Sequence, residues 1–443
     1  MFSQQSTIAA IATGHAPGGI GVIRISGPRA LNVASRIIAD FPSDPIPRRA
    51  SLCRIVDGAN QTLNEGLFIY FRAPHSYTAD DVVEIQMHGA PRLLQLTLQR
   101  ILEADDVRLA EPGEFTRLAF LAGRLDLVKA EAVADLISAE SEAEVRSAAA
   151  QLSGQLRERL DQLRRPLVEL QADIEGVLEF PDEAADADAE VPERIDRLVL
   201  ALQSLVADGH RGVLIRRGAK IVLYGPVNAG KSTLFNRLIG ADRAIVDAEP
   251  GTTRDTLEAR IELDGLAVTL VDTAGLRDDA ERIESLGIAR TLEGLRGADV
   301  AILLLPSTFS PEQRSQWLGL AGAVRVIEIF GKSDLRSTWN SLDETFLSVS
   351  GETGQGVDAL RTRLVSETVG STGATAITSE RHLNALKRSL QSLERAQIAS
   401  RHASLEIAGG EITQSLIALA EITGEDVSNE RLDAIFSRFC IGK

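Results

Sequence analysis

The chain predicts a multidomain α/β and α+β protein. It would have an N-terminal α+β domain, a discontinuous helical domain and, inserted into the latter, a doubly wound, mostly parallel α/β domain. Three observations predict this. Short β-type runs separated by turns crowd residues 1–120. Helical periodicity with little Gly or Pro takes over from about residue 125 and returns over residues 379–439. Between the helical stretches stands a glycine-rich loop that joins a strand-like run to a helix-like run.

The elements follow in order. The runs IGVIRISGP (20–28), EGLFIYFRAP (65–74) and DVVEIQMHG (81–89) read as strands, and RLLQLTLQRILEA (92–104) as one helix. Together they predict a compact α+β domain over 1–120. Residues 125–179 and 193–209 place apolar side chains at helical spacing in a background of Glu, Arg, Ala and Leu. A helix pair with one apolar stripe needs a partner, whereas a doubly wound domain already covers both faces of its sheet. The two helical halves, 121–212 and 373–443, are therefore expected to pack on each other around an insertion spanning 213–372. The acidic stretch FPDEAADADAE (180–190) reads as a solvated loop between helices.

Composition narrows the class. A length of 443 residues leaves room for roughly two to four cores, and the hydrophobic share of 44% is that of an ordinary globular protein. No uninterrupted apolar run reaches the ~18 residues of a membrane span, and the start lacks a basic n-region with a cleavable apolar segment. Cys53 and Cys440 are the only cysteines, which excludes a disulfide framework and fits a reducing, cytoplasmic setting. The six histidines are scattered without zinc-ligand spacing. With 47 basic against 63 acidic residues the net charge is −16, so contact with nucleic acid must be local or supplied by another subunit.

Residues 225–232 read GPVNAGKS between AKIVLY and TLFNRLIG, a complete phosphate-binding loop in the context it requires. Backbone N–H groups of such a loop converge on phosphate oxygens, and the helix N-terminus adds partial positive charge. Lys231 reaches the β- and γ-phosphates, and Ser232 offers a hydroxyl to Mg²⁺. The landmarks of a small GTPase follow in sequence. GTTRD (251–255) supplies Thr253 as a second Mg²⁺ hydroxyl. LAVTLVDTAG (266–275) ends in Asp272, Thr273, Ala274 and Gly275, of which Asp272 holds Mg²⁺ through water and the Gly275 N–H senses the γ-phosphate.

FGKSDL (330–335) occupies the place of the guanine-reading NKxD motif. Lys332 and Asp334 are present, but Gly331 stands where asparagine is expected. LSVSGETGQG (347–356) follows, with Ser350 and Gly351 in place of the usual Ser-Ala. Asp334 accepts two N–H groups that guanine offers and adenine does not, so guanine is the expected base. Leu276 after DTAG cannot orient an attacking water, which leaves Glu284 as the nearest polar candidate, either in that role or as a solvated helix carboxylate. Asn228 fits two readings: a brace within the loop, or a ligand for a monovalent cation beside the phosphates. Cys440 likewise reads as a small buried hydrophobe or as a thiol activated by Arg438 or Lys443.

The whole chain resembles the MnmE (TrmE) family of tRNA-modification GTPases. The resemblance rests on the GGIGVIRISG start, YTADDVVEIQMHG, EPGEFTRLAFLAGRLDLVKAEAVADLI (111–137), the GxxNxGKS loop, GTTRD, DTAGLR and the terminal FCIGK. It implies nucleotide contacts at Asn228, Ala229, Gly230, Lys231, Ser232 and Thr233; at Asp247, Ala248, Glu249, Pro250, Gly251, Thr252 and Thr253; and at the DTAG, Lys332, Asp334, Ser350 and Gly351 positions. It implies K⁺ at Asn228 with Asp247, Glu249 and Thr252, and Glu284 as the residue that activates water. It further implies a homodimerising N-terminal domain that holds a tetrahydrofolate derivative (5,10-methylene- or 5-formyl-tetrahydrofolate) at Arg24, Glu84 and Arg124 with Lys443 approaching; Arg124 replaces what is often a lysine. The family works with an FAD-containing MnmG-type flavoprotein, expected as a heterotetramer. The complex installs an aminomethyl-type group on C5 of a tRNA wobble uridine, with Cys440 essential to the modification and the tRNA held mainly by the partner. A ribosome-assembly or regulatory GTPase is the alternative, but it predicts a basic KH-like GXXG module, and none is visible.

Overall fold

The computed structural model describes residues 6–14, 16–179, 190–241, 257–273, 291–306, 309–335, 347–370, 375–402, 404–425 and 429–442. Two compact units emerge, one of Met1–Ala134 with Ala420–Lys443 and one of Asp135–Leu419.

The first unit is built on a six-stranded sheet of β1 (Thr7–Ile11), β2 (Gly18–Ser26), β3 (Ala50–Val56), β4 (Thr62–Phe71), β5 (Val82–Gly89) and β6 (Val107–Leu109). The strand order is β3-β4-β5-β2-β1-β6. All pairings are antiparallel except β1 with β6. Strict alternation in β2 sends Ile23 and Ile25 into a core shared with Val83, Ile85 and Phe68. That same core takes α1 (Ala30–Ile37), which buries Val33, Ala34 and Ile37, and α2 (Pro91–Leu102), which buries Leu94 and Ile101. Arg24, between the two isoleucines of β2, must then face the other way. On that second face Ile8 and Ala10 meet Phe115 of α3 (Glu114–Leu121) together with Tyr77. The sequence showed one helix in this region; α1 and α3 are additions, each of eight residues, too short to stand out by periodicity.

The chain's last helix, α13 (Asn429–Phe436), packs here as well. Leu432, Phe436 and Phe439 cluster with Phe120 and with Leu127 and Ala130 of α4 (Leu127–Ser138), and Arg117 pairs with Asp433 at 2.9 Å.

The second unit contains a six-stranded sheet of β7 (Ala219–Tyr224), β8 (Leu257–Leu263), β9 (Leu266–Asp272), β10 (Val300–Leu305), β11 (Arg325–Phe330) and β12 (Leu347–Ser348). Its order is β12-β11-β10-β7-β9-β8, parallel except for β8 at the edge. The near-continuous apolar runs of β7 and β10 are buried because helices cover both faces of a parallel sheet. One face packs α8 (Lys231–Ala241) and α10 (Val357–Val369) through Leu234, Leu238, Leu360 and Leu364. The other packs α9 (Pro311–Leu320) through Trp317 and Leu318. Since β7 lies between β9 and β10, the chain reverses direction across the sheet there, at the switch point where α/β proteins bind ligands.

The other helices of this unit are α5 (Glu142–Leu152), α6 (Gln155–Glu179), α7 (Val191–Arg217), α11 (Glu380–Arg401) and most of α12 (Leu405–Thr423). In α6 the buried positions Leu156, Leu160, Leu163, Leu167, Leu170 and Ile174 repeat at three- and four-residue intervals, which makes one stripe. Each such leucine contributes ~1.5–3 kcal/mol by leaving water. α7 packs against α6 and most extensively against α11, so residues from before and after the nucleotide sheet share one helical core. Among the described residues α7 is the one helix long and apolar enough to cross a membrane by those measures. Its buried Ile195, Leu198, Leu202 and Leu205 are used within the protein core instead.

Candidate functional site

β7 ends against the loop 225–230, and α8 begins at Lys231, so strand and helix hold the two ends of the phosphate-binding loop. The Lys231 ammonium donates to the carbonyls of Gly225 (2.9 Å) and Pro226 (2.8 Å). Burial pulls the Lys231 pKa below its usual value, and the nearby Asp272 carboxylate opposes that shift. The Ser232 hydroxyl donates to Asp272 Oδ2 at 2.9 Å, so two residues 40 apart in sequence meet at one point. Asp272 is fully buried at the end of β9, next to Thr273, whose hydroxyl donates to the Leu223 carbonyl at 3.1 Å. A hydroxyl beside a carboxylate is an all-oxygen, hard donor set, which fits Mg²⁺. Asn228 adopts φ of 61° in the left-handed region and is exposed. Among the described residues its side chain has no hydrogen-bond partner, so its amide is open to solvent.

The base-side residues come from the ends of β11 and β12. Lys332 also lies in the left-handed region, at φ of 59°, and its stem passes along Gly230 of the loop. Asp334, expected to read the base, is exposed. Ser350 is fully buried; its hydroxyl accepts from Thr353 N at 3.1 Å, which folds the second base-side turn. Sequence reasoning missed Arg237. Its guanidinium donates to the Gly351 carbonyl at 2.8 Å and also to that of Glu352, linking α8 to that turn. Nothing in the local pattern marked it, because both acceptors are backbone atoms more than a hundred residues away. Asp247 to Thr253, Ala274, Gly275, Leu276 and Glu284 lie outside the described residues. Among those described, no three His, Cys, Asp or Glu residues form a metal-binding group.

The first unit brings together a second set. Register places Arg24 of β2 opposite Glu84 of β5, and Nε and Nη2 of Arg24 both donate to Glu84 Oε1, at 2.9 and 2.8 Å. The guanidinium lies 5.6 Å from the ring centres of both Tyr77 and Phe115, two contacts the sequence did not announce. The C-terminal tail reaches the same place: Arg24 donates to the Gly442 carbonyl at 3.5 Å. A carboxylate, a guanidinium and two rings suit a flat heteroaromatic ligand with N–H donors. Arg124 makes a separate contact, donating to the Pro74 carbonyl at 2.9 Å. Lys443 lies outside the described residues.

The two cysteines differ sharply. Burial pushes the Cys53 thiol up to about 11, and only 2% of the residue is exposed. Cys440 is exposed, and its carbonyl accepts from Gly113 N at 3.4 Å. The small-buried-hydrophobe reading therefore belongs to Cys53 and not to Cys440. A thiol-disulfide reagent at pH 8 is expected to modify one thiol in the native chain and the second only after unfolding. Cys440→Ser should abolish the native reaction; two fast thiols would contradict this assignment.

Residues 7–124 match the family model described as the GTP-binding protein TrmE N-terminus, and residues 127–440 match that of the MnmE helical domain. The "tRNA modification GTPase MnmE" of Myxococcus xanthus (strain DK1622) is 53% identical over 445 residues, covering 100% of both chains. The chain belongs to the MnmE family. Proteins of the same name from Thiobacillus denitrificans and Neisseria meningitidis serogroup B are 42% and 39% identical, over 98% and 100% of both chains. The G domain of the Thermotoga maritima FeoB iron transporter, with a TM-score of 0.26 and 24% identity, covers 34% of this chain and 98% of that one. So low a score carries no weight. The strand order and the loop after β7 define the nucleotide domain as a doubly wound α/β fold.

Proposed function

We propose that this chain is a potassium-dependent GTPase that works in the modification of C5 of the wobble uridine of certain tRNAs. The observation that carries the reading is a phosphate-binding loop with Ser232 set on Asp272, inside a chain similar from end to end to tRNA modification GTPases. In this reading the four parts are 1–120, 121–212, 213–372 and 373–443. Ser232 and Thr253 hold Mg²⁺, with Asp272 as the acceptor that orients the Ser232 hydroxyl. Asn228, Asp247, Glu249 and Thr252 hold K⁺, which places positive charge where an arginine finger otherwise sits. Lys231 exchanges its two loop carbonyls for phosphate oxygens, and Glu284 orients water in place of Leu276.

The bond-forming chemistry belongs elsewhere. Arg24 and Glu84, with Arg124 and Lys443, receive the tetrahydrofolate derivative, which supplies the one-carbon unit when bound. The exposed Cys440 lies on the tail whose Gly442 reaches Arg24. A homodimer of this chain, an MnmG-type flavoprotein carrying FAD, and tRNA held mainly by that partner complete a cytoplasmic assembly. The acidic net charge of −16 agrees with a partner that supplies the basic surface.

Nucleosides from tRNA of a strain lacking this chain test the proposal. The modified wobble uridine should disappear, and its persistence would refute the role. Asp334→Asn tests the base. Guanine offers two N–H donors to Asp334, whereas xanthine presents a carbonyl that an amide can meet. The variant should lose at least ~100-fold in GTP affinity and gain xanthosine triphosphate binding, as expected when a charged hydrogen-bond pair is broken. Unchanged GTP affinity would remove Asp334 from the site.

A further inference from the structure

The two departures from the guanine-reading pattern, Gly331 and Gly351, share a structural reason. Both fall where the base-side loops touch the backbone of the phosphate side. A Cβ on Gly331 would lie 2.6 Å from the Ala229 carbonyl oxygen of the phosphate loop and 3.1 Å from Leu304. A Cβ on Gly351 would lie 2.8 Å from Leu234 N and 2.9 Å from the Thr233 carbonyl carbon in the first turn of α8. Asparagine at 331 and alanine at 351, the residues of the usual pattern, therefore collide here with main chain, which cannot swing aside as a side chain can.

Two side chains tie down the loops that approach so closely. Arg237 of α8 holds the carbonyls of Gly351 and Glu352. The Ser333 hydroxyl, one residue before Asp334, donates to Gln355 Oε1 at 3.3 Å, and Gln355 O accepts from Ser350 N at 2.9 Å. Ser333 N is in turn fixed to Val349 O at 3.1 Å. The base-reading carboxylate thus follows a residue held by backbone on one side and by an amide side chain on the other.

We propose that guanine recognition in this chain is set by the seating of Gly331 and Gly351 on the phosphate loop and α8. Gln355 and Arg237 are then positioning residues that replace the bracing of the absent asparagine. The inference rests on the GTP-binding reading of the site and adds the residues that set its base specificity. Completing the usual motif should consequently harm this protein.

Calorimetric titration of the full chain with GDP, ADP and inorganic triphosphate tests it. Gly331→Asn should weaken GDP about tenfold because the loop is forced off its seat. Gln355→Ala should weaken GDP about fivefold, the scale of one neutral hydrogen bond, with triphosphate binding unchanged. Gln355→Glu, which keeps the acceptor oxygen, should recover to within about twofold of the parent. Gly331→Asn binding GDP as tightly as the parent would overturn the proposal. So would a Gln355→Ala variant that loses GDP and triphosphate equally, since that marks general loosening and not placement of the base loop. A parent chain that binds ADP as well as GDP would instead sink the underlying GTP reading, whatever the variants do.

Discussion

Lys231→Ala is expected to lower GTP turnover by at least ~100-fold, the scale on which removing one preorganised donor from a developing anion acts. The residue is 7% exposed, and its ammonium is held within the loop by two carbonyls that phosphate oxygens can replace. Keeping a charge there costs solvation, and burial lowers its pKa from the ordinary 10.5. For a lysine the sign is clear. With the folded-state pKa below the unfolded one, the unfolded chain binds more protons in the interval between them, and stability rises as pH climbs through it. At neutral pH the buried ammonium therefore opposes folding. Loss of turnover without a fall in Tm is the expected outcome, measured by steady-state phosphate release and by thermal unfolding. Turnover within a few-fold of the parent would mean that this loop does not handle the transferred phosphate.

Gly212→Ala should be strongly destabilising to the second unit, at about 3 kcal/mol. A Cβ on Gly212 of α7 would lie 1.7 Å from the Ile377 carbonyl oxygen and 2.7 Å from its carbon. Gly209, one turn earlier, offers an internal control. Its Cβ would meet only the side chains of Ile377 and Leu383, at 3.1 Å, and side chains can yield. Gly209→Ala is thus expected to cost under ~1 kcal/mol. Chemical denaturation of both variants measures the difference. Equal midpoints would show that the segment leading into α11 is not seated on α7 as tightly as its geometry states.

The strand, loop and helix around GPVNAGKS were legible because their instruction is local. Phosphate binding needs consecutive backbone N–H groups and one lysine, so GPVNAGKS carries nearly the whole instruction in eight adjacent residues. The buried strands were legible for a related reason, since a sheet covered on both faces leaves apolar runs such as VAILLL unbroken. The helices of eight residues were not, because two turns are too few for a period to emerge.

Other features had no local signature at all. Arg24 and Glu84 are 60 residues apart, and only strand register makes them a pair. The terminal residues read as part of the second helical half, yet Phe436 and Phe439 pack with Phe120, and the Gly442 carbonyl meets Arg24. Gly331 in sequence was a defect in a familiar motif. In the fold it is the residue that lets β11 end against the phosphate loop.

The sequence by itself determined that this protein carries buried parallel strands between helical stretches and that GPVNAGKS joins one of those strands to a helix. Apolar period and loop chemistry act over neighbouring residues and need no further context. Only the tertiary structure decided that Arg24 sits between Glu84, Tyr77 and Phe115, that Cys440 is the exposed thiol and Cys53 the buried one, and that glycine belongs at 331. Those outcomes depend on register, on burial and on which backbones leave no room for a Cβ between them. Such quantities arise between distant segments and have no expression in the spacing of residues along the chain.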